Sequence, residues 1–375
     1  MFDCITRRNT WGYEMDLLVL DKDFHPIGVV DTFESLTWDR SYYDVGSFSI
    51  ATDMKYYALL RDGRYIFRND ADELGILQGL SYKQDAKSET VEAEGKFLEV
   101  ILDGRVIEKT KDLKGTPEEI SRQLVTEYCI TPSDSGRKIP KLRLGTAHGL
   151  GTEIAFQSTG DTVLEKIQEI CQSQELSFSM IYNFLADEIV FDVWKGKDRT
   201  QGQKENTWAT FSRGMENLIT AEYDRDRSKY KNFAYVAGEG EDTERTVVTV
   251  DLTKGEERNE LYVDARDLKR TVEDITMSES DYKAVLMQRG IEKLDAYNLV
   301  ESYNAKIDPN SALKYKSDYD LGDICTVIYD SLGVMVEKRI ETIKETHTAK
   351  GLSLTVTFGK DYLSLGQAIR REVKQ

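Results

Sequence analysis

Linkers, metal-binding pairs and long apolar runs are all missing from this 375-residue chain. Prolines number only 5, and no Pro/Ser-rich or Gly/Ser-rich tract interrupts the sequence. A chain of this length holds about two to four domains. They must then be joined by short connections, or by strands passing between them. The 4 cysteines, Cys4, Cys129, Cys171 and Cys325, are too scattered for a zinc knuckle, and free, mostly buried thiols are expected. The 3 histidines, His25, His148 and His347, are equally isolated, and neither H-E-x-x-H nor C-x-x-C occurs. No metal or other cofactor is therefore expected. The longest early apolar run, Leu17–Leu20, is far short of the ~20 residues of a bilayer span. Arg7 and Arg8 are not followed by the apolar stretch of a signal peptide, so synthesis and folding in the cytoplasm are expected. Basic residues are outnumbered, giving a net charge of −17. A DNA reader clusters Lys and Arg against phosphate, so binding of nucleic acid by attraction is not expected, and solubility is the ordinary reason for such a charge.

What is present is mostly strand pattern. Met15–Leu20, Ile27–Val30, Ser35–Arg40 and Ser47–Ile50 alternate or run apolar in short pieces. Tyr57–Leu60 and Tyr65–Phe67 flank Asp62-Gly63, a strong hairpin signal. Asp103-Gly104 similarly separates Phe97–Leu102 from Val106-Ile107. Many short strands with turns between them read as a barrel or sandwich. Thr116-Pro-Glu-Glu119 then has the order of a helix cap, with Ile120, Leu124 and Tyr128 on one face. Asp161 is expected to cap a second helix over Thr162–Cys171, followed by the alternating pair Leu176–Tyr182 and Ile189–Val193. Strands return from Trp208, a helix is expected over Ser278–Tyr297, weakened or bent at Arg289-Gly290, and strands resume from Leu321 to Phe358. The fold class is mainly β with an α+β insert. Expected domains are a first β domain 1–107, the α+β insert 108–203, a discontinuous second β domain 204–265 with 311–375, and a small helical insert 266–310.

Chemical motifs are weak. There is no G-x-S-x-G elbow. Gly149-Leu-Gly151 beside His148 resembles a phosphate loop loosely but lacks its Lys-Ser/Thr, so a plain loop is expected. Asp187-Glu188 is the tempting carboxylate pair for a glycosidase, though its place in a tight turn suits a solvated hairpin tip. The acidic loop Glu239–Glu244 lacks the spacing of a calcium loop. Aromatic residues are more informative: 20 tyrosines and 4 tryptophans, Trp11, Trp38, Trp194 and Trp208. Most should fill β cores. The cluster Trp38, Tyr42 and Tyr43 at a strand end is the candidate subunit contact, with sugar binding a more distant role for aromatics.

Several stretches, in order, resemble the siphovirus proteins called Gp37-like after phage ReqiPepy6, related to baseplate-hub and tail-associated proteins. They are Leu17–Phe24 with Pro26–Val29, Leu36–Phe48, and Tyr235–Glu241 with Arg245. Val263–Leu268 follows, then Tyr319–Ile324 with Arg339–Glu341 and Thr357–Gly359. The resemblance implies a hub fold with two tube-type antiparallel β-barrel domains and two smaller inserted domains. It implies a homotrimer at the virion tail tip that meets the distal tail protein ring, holds the C-terminus of the tape measure protein, and adjoins receptor-binding or tip proteins. Such a trimer continues and closes the tail tube and gives DNA its exit channel, without specific binding. Acidic walls that repel DNA would suit such a conduit. No catalytic residue is expected. The alternatives are a tail-tip cell-wall hydrolase and a saccharide-binding adhesin.

Overall fold

The computed structural model describes residues 15–84, 89–272, 274–329, 331 and 333–359, with no account of the side chain at 242. The extension 1–14, with Cys4 and Trp11, and the tail from 360 onwards lie outside the described residues.

A side-chain period of two builds the first seven strands. These are β1 (Leu17–Leu20), β2 (Pro26–Val30), β3 (Ser35–Ser41), β4 (Ser47–Asp53), β5 (Tyr65–Arg68), β6 (Leu74–Gln84) and β7 (Glu89–Phe97). They lie in the order β2-β1-β5-β6-β7-β4-β3, every neighbour antiparallel. Leu17, Val19, Leu36, Trp38, Phe48, Ile50 and Val91 form the core beneath them. Two expected strands are helical instead. Tyr57–Asp62 is α1, led in by a 3-10 turn at Met54–Tyr56 that Asp53 caps. A four-residue apolar run has no period of its own, so the cap decides. Leu98–Gly104 is likewise a 3-10 helix, burying Leu98 and Leu102.

The α+β part comprises β8 (Lys111–Gly115), α2 (Pro117–Val125), β9 (Leu142–Leu144), β10 (Ile154–Ser158), α3 (Val163–Ser173), β11 (Ser177–Asn183) and β12 (Glu188–Trp194). Thr116 and Glu119 form the capping box the sequence announces. The cap of α3 is Thr162, boxed with Glu165, and not Asp161. Asp161 instead accepts from Ser158 Oγ at 2.5 Å and faces Lys166.

The remaining elements are β13 (Thr210–Ser212), β14 (Leu218–Asp226), β15 (Phe233–Ala237), β16 (Val247–Asp251), β17 (Glu260–Asp264), β18 (Thr271–Val272), β19 (Ile275–Thr276), α4 (Glu279–Ala296), β20 (Val300–Ile307), β21 (Ile324–Tyr329), β22 (Val334–Thr348) and β23 (Gly351–Phe358). Among the described residues β15, β16 and β17 pair only with one another. They share an apolar cluster with α4 that includes Val236, Val250, Val263, Tyr282 and Leu286. Packing thus groups 233–264 with the helix, where the sequence reading groups 204–265 with 311–375. Helix α4 runs through Gly290 unbroken. A Cβ there would meet Val236 Cγ2 and Val250 Cγ2 at 2.7 Å, so the glycine serves close helix–sheet approach.

The fifteen-residue strand β22 joins the two β units. Its first part pairs with β21. Its second part pairs with β23 on one side and with β3 on the other, from Thr342↔Ser41 to Thr348↔Ser35. The result is one 13-stranded sheet whose main path runs β14-β20-β23-β22-β3-β4-β7-β6-β5-β1-β2. Two closed tube-type barrels are expected from the sequence resemblance. Among the described residues no barrel closes, because the edge of β3 is taken by β22 of the other unit.

Candidate functional site: the shared sheet and its seam

One face of the common sheet is polar from β14 across the seam to β7. Beyond Lys96 the same face runs on through Ile76, Tyr65 and Leu20, which are buried against the α+β part. Hydrogen-bonded register aligns Ser353, Thr346, Thr37, Ser49 and Glu94 in one cross-strand row. A parallel row holds Glu222, Asn304, Thr357, Thr342 and Ser41. Between them runs Thr220, Lys306, Thr355, Lys344, Asp39, Ser47 and Lys96. Alternate residues of the same strands, such as Leu36, Phe48, Ile343, Leu354 and Val356, are buried on the opposite face. Short hydroxyl side chains make this face smooth as well as wettable, and among the described residues nothing interrupts it at the β22–β3 seam.

Beneath the seam lies an ionic network on the buried side. Arg68 of β5, fully buried, donates from Nη2 to Glu345 Oε2 of β22 at 2.7 Å and pairs with Asp70 at 2.6 Å. Its guanidinium stacks over Trp38 at 5.2 Å. Tyr315 donates to Glu345 Oε1 at 3.1 Å, and Arg40 Nη1 donates to the Tyr315 oxygen at 2.9 Å. Arg40 also pairs with Glu73 at 2.5 Å and Asp320 at 2.6 Å. Burial alone would push the Glu345 carboxyl up. The contact with His347 and the charges of Arg68 and Lys316 outweigh it and hold the group at about 2. Glu99 is the opposite case. Its Oε1 accepts from the Met180 N–H on the open edge of β11 at 2.9 Å, its Oε2 is buried without a partner among the described residues, and burial raises it to about 7 despite that hydrogen bond.

The aromatic cluster falls inside this joint. Trp38 lies in the core against Phe97, with its indole N–H donating to Glu73 at 3.2 Å. Tyr42, also buried, meets three parts of the chain. Its hydroxyl donates to the Glu175 carbonyl at 3.0 Å, its ring meets Trp194 edge-on at 5.0 Å, and Arg339 of β22 lies over its face at 4.9 Å. Gly322, at φ +83°, makes room for that ring, since a Cβ would stand 2.4 Å from Tyr42 Cε2. Tyr43 keeps part of its surface exposed. Trp38 and Tyr42 thus spend their surfaces within one chain. Sequence reasoning misses Arg68, Glu345, Arg40 and Glu73, because partners as far apart as Arg68 and Glu345 leave no local signal.

Other singled-out groups have partners of their own. Asp187 is bound by Lys141 and Tyr182, and Glu188 by Arg143. In the Gly149–Gly151 loop, the N–H groups of His148 and Leu150 donate to the Glu118 carboxylate, at 2.7 and 2.8 Å, so the loop cradles an acid of its own chain. His148 Nε2 lies 3.1 Å from Asp192. Glu239 in the acidic loop accepts from the Arg270 N–H at 3.2 Å. Cys129, Cys171 and Cys325 are buried free thiols. Asp21, Asp23 and His25 cluster on the exposed β1–β2 turn, where Asp21 Oδ1 accepts from the backbone N–H groups of the other two.

The whole fold has solved counterparts. A tail protein from Neisseria meningitidis MC58 superposes with a TM-score of 0.55 at 12% identity, covering 92% of this chain and 97% of that one. The 43 kDa tail protein of prophage MuSo2 from Shewanella oneidensis gives 0.56 at 10%, covering 92% and 98%. Prophage tail protein gp18 from Listeria monocytogenes EGD-e gives 0.55 at 14%, covering 96% and 98%. No curated protein sequence matches. At these identities the superpositions speak for the fold. The family model for the Siphovirus ReqiPepy6 Gp37-like protein matches residues 16–360, nearly the whole chain, and the chain belongs to that family.

Proposed function

We propose that this chain is a structural subunit of a phage tail, and that three copies form the tail-tip or baseplate hub that continues the tube and gives DNA its exit. The observation that carries this reading is the single 13-stranded sheet, with a polar stretch across the seam and open edges at both ends of its main path. Among the described residues β2 and β14 each have a strand on one side only. Both carry exposed apolar side chains, Ile27 and Val29 on one, Ile219 on the other. Open edges invite pairing, and joining unlike edges head to tail makes a ring when the rotation closes. In that ring the polar stretch from β14 to β7 lines the channel, and the α+β part packs on the same face beyond it, against β6, β5 and β1. Tyr43, still partly exposed, remains the candidate subunit contact. The distal tail protein ring and the C-terminus of the tape measure protein are the expected partners above and within the tube.

Absolute mass in solution, by light scattering on concentrated protein, tests the reading. A species of three times 42.9 kDa is expected. A strict monomer or a dimer counts against it. Clearing of purified peptidoglycan that one carboxylate substitution abolishes would replace it with the hydrolase alternative.

A further inference from the structure

A net charge of −17 conceals a basic row on the polar face. Lys306, Lys344 and Lys96 share one cross-strand register, on β20, β22 and β7, and all three are exposed. With strands ~4.8 Å apart, Lys344 stands about 10 Å from Lys306 and about 14 Å from Lys96 along the row. Lys96 and Lys306 form no ion pair among the described residues. Lys344 faces Asp39, whose carboxyl burial pushes up against the pull of that lysine. The flanking rows are mostly hydroxyl and amide groups, with carboxylates at their ends in Glu222 and Glu94.

We propose that this lysine row, with its flanking serines and threonines, contacts the phosphate backbone of double-stranded DNA. The proposal rests on the reading of this face as a channel wall. Ammonium groups spread along one line, bordered by hydroxyl donors, suit a polyanion whose charge is uniform along its length. Lys, Ser and Thr are also the residues that position a duplex through its phosphates without reading bases. The contact is therefore independent of sequence, weak, and sensitive to salt. It replaces a uniformly repelling wall with one that holds the duplex at a single level.

The test is fluorescence anisotropy of a short labelled duplex titrated with the protein from low to physiological ionic strength. Wild type should bind at low salt, with log K falling against log salt at a slope of about −2 to −3, for roughly three neutralised phosphates. Lys96→Gln, Lys306→Gln and Lys344→Gln together should abolish that slope. Lys138→Gln, Lys204→Gln and Lys254→Gln, exposed positions off this face that change net charge equally, should leave it intact. Thermal melts check that both triple variants fold. Absence of binding by wild type, or equal loss in both triple variants, overturns the proposal. So does row-dependent binding of a polyglutamate peptide in place of the duplex, which would assign the row to an acidic protein segment. The row is exposed in the single chain, so the assay reads it in any oligomeric state. Light scattering on the same sample separates the two readings. A trimer that ignores DNA overturns the row and leaves the hub; a monomer that binds DNA through the row does the reverse.

Discussion

Glu345 and Glu99 are both buried carboxyls, and their surroundings push them in opposite directions. Glu345 is held at about 2, so its contribution to stability is present above the ordinary carboxylate value of 4.5 and is lost as pH falls through 2. A shift of this size corresponds to stability on the order of 3 kcal/mol. Glu99, raised to about 7, gives the reverse slope. The folded chain holds a proton that the unfolded chain releases above 4.5, so stability falls as pH rises from 4.5 to 7. Urea unfolding across this range should show that fall in wild type and not in Glu99→Gln, whose amide oxygen still accepts from Met180. An unchanged slope in the variant would remove Glu99 from the account. For the buried pair, Arg68→Met or Glu345→Leu alone strands a charge and should cost about 3–5 kcal/mol. The double substitution should lie closer to wild type than either single one. Equal, additive losses would show that the two side chains do not depend on each other.

At the scale of elements, local chemistry is legible in sequence and non-local chemistry is not. The capping box at Thr116 and the cap at Ser278 are spelled out within four residues, and both helices start there. Tyr57–Leu60 failed as a strand because four apolar residues fit either period, and the Asp53 turn before them settled it. The cross-strand rows could not be read at all, since register between β22 and β3 is a property of two strands remote in sequence. That Trp38 and Tyr42 are covered within their own chain was not legible for a related reason. An aromatic run at a strand end looks the same whether its own chain or a neighbour covers it. The glycines are a second element-scale device. Phe48 packs over Gly75 and Gly95, and a Cβ on Gly95 would stand 1.8 Å from the Ile76 carbonyl oxygen. Gly95→Ala should therefore lower stability by about 1–3 kcal/mol. Gly104→Ala, with nothing within 4 Å, should leave the melting temperature nearly unchanged. Equal melting temperatures would mean that β6 yields without cost.

The whole molecule was legible in outline. Alternation and turns announced a mainly β chain with helical insertions, and five ordered motifs announced the family. Fusion of the two β units into one sheet was not, because the pattern of β22 is that of any long strand. The edges of that sheet give the prediction at this scale. Val29→Cys on β2 and Ala221→Cys on β14, joined by a short bis-maleimide, should produce a ladder on denaturing gels that stops at three chains. Either cysteine alone should not. A ladder running past three, or none in a sample that light scattering finds trimeric, would place the subunit contact elsewhere.

β22 has a further, mechanical meaning. A load along the strands is borne by the β22–β3 ladder in shear, with seven residue pairs from Thr342↔Ser41 to Thr348↔Ser35 strained together, not one after another. Such a joint is stiff and brittle. The two β units of the chain therefore resist sliding past one another along the strands, and yielding under such a load must come from elsewhere.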